Sequence, residues 1–143
     1  MGIFKGSILI VDDDASAKGT LLLSLARECY YCVTAATGLD ALDKCAAYGF
    51  DVVILNAVMP RAPATELLPR LVEICPKTQF IVVEPVMDRK AIEESIRLGA
   101  SDYVTKPFNI PDIVSRVEAA MARRRLILDR KQPAGSGTRR LAP

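Results

Sequence analysis

The sequence contains no histidine. That excludes an imidazole general base, an imidazole nucleophile and every metal site that depends on imidazole ligands. Cysteine is scarce: Cys29, Cys32, Cys45 and Cys75 are the whole set. Cys29 and Cys32 have the separation of a metal knuckle or a redox pair, but no second pair completes a zinc site, so the thiols are read as reduced, partly buried groups that pack as small hydrophobes. No apolar run reaches the ~18 residues of a membrane span. The start, Met1-Gly2-Ile3-Phe4-Lys5, is too short and too mixed for a signal peptide. A cytoplasmic chain with no membrane contact is expected.

What is present is the material of a core. Half of the 143 residues are hydrophobic, rich in Val, Ile, Leu and Ala, enough for one globular domain. The net charge of +2 is unevenly spread: residues 1–121 hold 12 Lys/Arg against 16 Asp/Glu, and residues 122–143 hold seven against one. The body is mildly acidic and the end is basic. The expected division is a domain over residues 1–125, followed over 126–143 by a helix extension and a basic tail. From Gln132 onward, Pro, Gly, Ser, Arg and Ala predict a disordered end. That tail has no aromatic residue to stack on a base, so nucleic-acid binding is not expected of it.

Apolar runs alternate with helical patterns five times. Strands are predicted at Ser7 to Val11, Tyr31 to Ala35, Val52 to Leu55, Phe80 to Val83 and Asp102 to Thr105. The intervening helices carry apolar faces at Leu22, Leu25, Ala26 and Cys29; at Leu39, Leu42, Cys45 and Ala46; at Leu67, Leu68, Leu71, Val72 and Cys75; and at Ile92, Ser95 and Ile96. The last, through Ile113, Val114, Val117, Ala120 and Met121, is expected to run to about Leu128. Thr37 is placed to cap the second helix and Gly99 to end the fourth. Pro63 and Pro69 leave the start of the third helix open. Uniformly apolar strands alternating with helices predict a parallel sheet covered on both faces. The fold class is α/β: a flavodoxin-like, doubly wound three-layer sandwich with strand order 2-1-3-4-5.

In such a sheet the site lies at the carboxyl ends of the strands, near the switch point between strands 1 and 3. That rule selects Asp12, Asp13, Asn56, Glu84 and Lys106. Asp12-Asp13-Asp14 follows the first strand directly. Helix capping accounts for one of these carboxylates; three together call for a cation or a lysine to offset their repulsion. Lys106-Pro107-Phe108 follows the fifth strand, where the proline fixes the direction of the lysine.

The order and spacing of Ile8-Leu9-Ile10-Val11-Asp12-Asp13-Asp14, Leu55-Asn56-Ala57-Val58-Met59-Pro60, Leu98-Gly99-Ala100-Ser101-Asp102-Tyr103 and Lys106-Pro107-Phe108 resemble the receiver domain of bacterial response regulators over about residues 6–125. The resemblance implies that Asp12 and Asp13 are the acidic pair that helps bind magnesium, that Lys106 contacts phosphoryl oxygens, and that Tyr103 is the aromatic switch. It also implies a protein partner, or a second copy, on the face made by helix 4, strand 5 and helix 5.

The departures from that pattern are specific. Asn56 stands where the family carries the phosphoacceptor aspartate. Glu84 stands where it carries a Thr or Ser that bonds the phosphoryl group. Arg61-Ala62-Pro63-Ala64-Thr65 replaces a Gly- and Asp-bearing loop. A neutral amide is a poor nucleophile and carries no charge for a cation, so the expected site is vestigial: magnesium binding at Asp12 and Asp13 weak, no other cofactor, and no enzymatic activity. Glu84 is expected to act as an internal partner for Lys106 or for a residual cation. The function expected is an atypical receiver, a phosphorylation-independent protein-interaction module in signal transduction. The alternatives are an ordinary receiver with Asn exchanged for Asp at position 56, and a flavodoxin-like cofactor binder. The acidic loop after strand 1 argues against the latter, because it lacks the Gly, Ser or Thr groups that hold a phosphate.

Overall fold

The computed structural model describes residues 3–131; the tail expected from Gln132 onward lies outside the described residues. In chain order the elements are β1 (Gly6–Val11), α1 (Ala15–Arg27), β2 (Tyr30–Ala35), α2 (Gly38–Ala47), β3 (Val52–Asn56), α3 (Ala64–Ile74), β4 (Gln79–Glu84), α4 (Arg89–Arg97), β5 (Asp102–Thr105) and α5 (Ile110–Lys131). The strands form one sheet in the order β2-β1-β3-β4-β5, with every pair parallel. This is the expected doubly wound order. It puts the carboxyl ends of β1 and β3 side by side, with Val11 paired to Leu55.

Side chains alternate across a strand, and here the alternation builds two cores. Leu9, Val11, Val53, Leu55, Phe80 and Val82 face Leu42 and Cys45 of α2 and Leu67, Leu68 and Leu71 of α3. Ile8, Ile10, Val52, Ile54, Ile81, Val83 and Val104 face Leu21 and Leu25 of α1 and Ile113, Val117 and Ala120 of α5. β3 and β4 are buried along their whole length, as a central parallel strand must be.

The helices depart from expectation mainly in which way they roll. α1 turns Leu21 and Leu25 inward, while Ala26 and Cys29 are exposed. α1 has ended by Arg27, and Cys29 sits in the left-handed region at φ 70°, which takes its side chain off the helical face. α2 buries Gly38, Ala41, Leu42 and Cys45 and leaves Leu39 70% exposed; Ala46 is also exposed. The cause is Gly38. A Cβ there would lie 2.7 Å from the Cβ of Ala62, so the bare backbone lets α2 roll its glycine edge against the β3–α3 loop. α4 buries Ile92 and Ser95 and exposes Ile96.

The predicted caps are in place. The Thr37 hydroxyl accepts from Asp40 N at 3.0 Å. Gly99 follows α4 at φ 119°, with Val72 Cγ2 2.8 Å from where its Cβ would be. α3 opens after Pro63 and carries Pro69 inside it; Pro69 and Thr65, whose carbonyl the proline cannot bond, are both exposed, so water can serve the freed oxygen. α5 runs past the predicted Leu128 to Lys131. Its basic turn is pinned to the amino edge of the sheet: Arg124 reaches Asp51 at 2.7 Å and Arg123 donates to Gln79 Oε1 at 2.9 Å.

Candidate functional site

Asp12 is the first residue past β1 and is only 5% exposed. Its Oδ1 accepts from Asp14 N at 3.0 Å and from Asn56 Nδ2 at 3.3 Å. Asp14 caps α1 by accepting from Ser16 N at 3.0 Å, and Asp13 is exposed. The three aspartates thus separate into one turned inward, one at the surface and one helix cap. Asn56 ends β3 and is 8% exposed. Its Nδ2 also donates to the carbonyl oxygen of Val58 at 2.9 Å. Asp12 Oδ1 and Val58 O are both acceptors, so the amide orientation is fixed by chemistry: only the NH2 group satisfies the two.

That orientation decides what the centre can hold. Magnesium requires oxygens in an octahedron. Asn56 presents hydrogens to the space between Asp12 and Val58 O, and a cation there would have to displace the amide. Among the described residues no three His, Cys, Asp or Glu side chains are grouped to hold a metal ion. The side chains as arranged do not fit magnesium.

Glu84 corrects an expectation. It neither pairs with Lys106 nor reaches water. It is 5% exposed, and among the described residues Lys106 forms no ion pair. The link between them is backbone, Lys106 N donating to Glu84 O at 2.9 Å. The Glu84 carboxyl faces α4 instead. Burial pushes its pKa up, the nearby Asp88 carboxylate pushes it further, and the Ser95 hydroxyl pulls it partly back.

The reason is the two-residue period of the strands. Asp12 shares its parity with Ile8 and Ile10, Asn56 with Ile54, and Lys106 with Val104, all on the α1/α5 face. Glu84 shares its parity with Phe80 and Val82 on the opposite face, and Thr105 is its register partner. Asp12, Asn56 and Lys106 therefore belong to one side of the sheet at its carboxyl edge, and Glu84 to the other. Lys106 is partly buried, and its peptide bond to Pro107 is cis. Tyr103, expected as the switch, is partly buried and falls on the Glu84 side, paired with Val82.

The family description "Response regulator receiver domain" matches residues 8–118. The chain belongs to the response regulator receiver domain family. Among curated relatives, the uncharacterized transcriptional regulatory protein YkoG of Bacillus subtilis is 34% identical over 120 residues, covering 82% of this chain and 51% of that protein. Response regulator ArlR of Staphylococcus aureus is 31% identical over 116 residues, covering 81% and 52%. A CheY-like receiver domain from Methanospirillum hungatei superposes with a TM-score of 0.81 at 27% identity, over 84% of this chain and 96% of that one. The chain spans about half the length of the curated relatives it matches.

Within this receiver domain the sequence had singled out the residues of the carboxyl edge. It missed the role of Val58, whose contribution is a main-chain oxygen and leaves no side-chain signal. It also missed Ser95 as the neighbour of Glu84, although counting strand parity from Val82 would have turned Glu84 toward α4. Folding brings Cys75 beside Cys45, its thiol donating to the Cys45 carbonyl oxygen at 3.3 Å. All four cysteines are free, with Cys29 exposed rather than partly buried. Burial pushes the Cys45 thiol up to about 12, with Cys75 adding to the effect, and the Cys32 thiol up to about 11. Both are therefore protonated and unreactive at neutral pH.

Proposed function

We propose that this receiver domain of a two-component response regulator works without phosphorylation, as a protein-interaction module whose surface is presented in one fixed state. The observation that carries this reading is the Asn56 amide. It offers no carboxylate to attack a phosphodonor, and its NH2 group occupies the centre of the site by bonding Asp12 Oδ1 and Val58 O. Glu84, where the family pattern has a hydroxyl, supports the same reading: its carboxyl is committed to the α4 side. Magnesium binding is weak, because Asp12 and Asp13 lack a third carboxylate and the amide must first be displaced. The domain is a binding module and not an enzyme, acts in the cytoplasm, and takes a protein partner or a second copy rather than nucleic acid or membrane. Among the described residues no helix is long and apolar enough to cross a membrane.

The partner face would be α4-β5-α5. There Arg97 is paired with Glu94 at 2.7 Å, and Arg116 is held between Asp102 and Asp112 at 2.8 and 3.2 Å. Arg89, Lys90 and Glu93 form no ion pair among the described residues and are available to a partner of mixed charge.

A second reading has its own support. Asp12, Asn56 and Lys106 keep the placement of a working site on one face of the sheet, so the domain would be an ordinary receiver with a single residue exchanged. One experiment separates the two. The protein and its Asn56→Asp variant are incubated with acetyl phosphate and magnesium, and intact mass is measured. The proposal expects no added phosphoryl group on the native chain, and no partner-binding change on treatment. A stoichiometric, base-labile phosphoryl adduct on the native chain overturns it. Full switching of Asn56→Asp would favour the second reading.

A further inference from the structure

A cleft of about 630 Å³ opens beside Asp13, between the β2–α2 turn and the β3–α3 loop. Its volume lies in the range of small-molecule sites. Buried Leu42 and Leu67 and exposed Leu39 supply apolar surface. Two guanidiniums, Arg61 and Arg70, line it as well. Both arginines are exposed, and neither forms an ion pair or a side-chain hydrogen bond among the described residues. With Asp13 as the one carboxylate in the lining, the cleft carries an excess of one positive charge.

Arg61 is the unusual residue. Its φ is 67°, the left-handed region that costs an L residue roughly 1–2 kcal/mol. A non-glycine residue is held there only when its surroundings over-determine it, and such positions gather at binding sites. The surroundings here are visible. Met59 is 4% exposed, Ala62 N bonds Met59 O at 3.4 Å and Ala64 N bonds Ala57 O at 3.0 Å, and Ala62 closes against Gly38. The walls are therefore preformed, which lowers the cost of binding. Glycine would relieve the strain at position 61, yet the position holds the side chain best suited to a bidentate grip on an anion.

We propose that this cleft is a binding site for a small amphipathic anion: an apolar body against Leu39, Leu42 and Leu67, and a carboxylate, phosphate or sulfonate head held by Arg61 and Arg70. The site stands independently of how the Asn56 centre is used. Because Asp13 lines the cleft and directly follows Asp12 in the chain, occupancy would be felt at the end of β1.

The test uses 8-anilinonaphthalene-1-sulfonate as probe and its uncharged analogue N-phenyl-1-naphthylamine as control, both titrated by fluorescence into the full chain at neutral pH. The sulfonate should bind saturably and about tenfold more tightly than the neutral analogue, the difference expected of a charge-assisted contact. Arg61→Gln combined with Arg70→Gln should abolish that preference. Amide shifts on binding should centre on Gly38, Leu39, Arg61 and Arg70. Arg61→Gly guards against a folding artefact: it removes the guanidinium together with the strain, so it should lose affinity while melting no lower than the native chain. No saturable binding, equal affinity for the neutral analogue, undiminished binding by the double variant or by Arg61→Gly, or shifts centred instead near Tyr31 and Tyr48, which line a separate cleft at the other end of β2, would each overturn the proposal.

Discussion

The two edges of this sheet solve the same problem in opposite ways. At the amino edge Asp51, next to β3, is met by a full positive charge: Arg124 of α5 at 2.7 Å, with Ser7 N at 2.8 Å. At the carboxyl edge Asp12 is more deeply buried and, among the described residues, forms no ion pair. It is held by the amide NH2 of Asn56 and the main-chain NH of Asp14. An ion pair anchors a helix to the sheet and tolerates water. A neutral donor satisfies a carboxylate without creating a charge that a ligand could compete for. The amino edge holds α5 in place through charge, whereas the carboxyl edge satisfies its buried carboxylate with neutral donors.

The largest test of this contrast is Asn56→Asp. It removes both donated bonds and sets a second carboxylate 3.3 Å from Asp12 Oδ1, the distance the amide nitrogen now keeps. The variant should lose roughly 2–4 kcal/mol of stability in chelator, the cost of an unsatisfied and repelling buried charge. Magnesium should restore it progressively, by RT ln(1 + [Mg]/Kd). Thermal melts with and without magnesium measure both effects. Because Glu84 lies on the other face of the sheet, adding Glu84→Thr should not recover the loss in chelator. Stability unchanged in chelator would mean that the amide is not what holds Asp12.

At the amino edge the effects should be smaller and should depend on salt. Arg124→Gln should cost about 1 kcal/mol, the scale of a partly exposed ion pair, and the loss should shrink at high ionic strength. Asp51→Asn should cost somewhat more, since it also weakens the acceptor for Ser7 N. A double-mutant cycle on Asp51 and Arg124 should give a coupling of about 0.5–1 kcal/mol. The same cycle on Asp12 and Asn56 should be insensitive to salt, because no charge pair is lost. Equal salt dependence at both edges would break the comparison.

Much of this was legible in the chain. Strand count, strand order, the capping role of Thr37 and the stop at Gly99 follow from local rules that the tertiary structure leaves in force. The rolls of α1 and α2 were not legible, because they depend on what lies opposite: Gly38 presses on Ala62 only when the β3–α3 loop is in position. The position of Asp12, Asn56 and Lys106 at the carboxyl ends of β1, β3 and β5 follows from strand order and spacing. Charge balance across the strand ends pairs Glu84 with Lys106, but the two-residue period of the strands turns Glu84 to the opposite face, toward α4. The Asn56–Val58 contact joins a side chain to a main-chain oxygen two residues on, and such contacts are set by loop geometry that residue types do not encode.

The smallest effect expected is a slope, and it comes from Glu84. This carboxyl is as buried as Asp12 but is given neither an arginine nor an amide; burial, with the nearby Asp88 adding to it, raises its folded-state pKa above the ordinary 4.5, and the Ser95 hydroxyl only partly offsets the rise. Between the unfolded value and the raised folded one, the folded chain binds more protons than the unfolded chain. Stability from this group is therefore present at the low end of that window and declines as pH rises through the folded pKa, above which it levels off. A carboxylate whose pKa is lowered on folding would behave in the opposite way. Glu84→Gln keeps the shape and removes the titration. Its stability relative to the native chain should rise with pH from about 4.5 upward and then become constant, as read from urea midpoints at a series of pH values. If the difference between the two proteins were flat across that window, the carboxyl would be as well solvated as its exposed neighbours, and the assignment of Glu84 to the α4 side would fail.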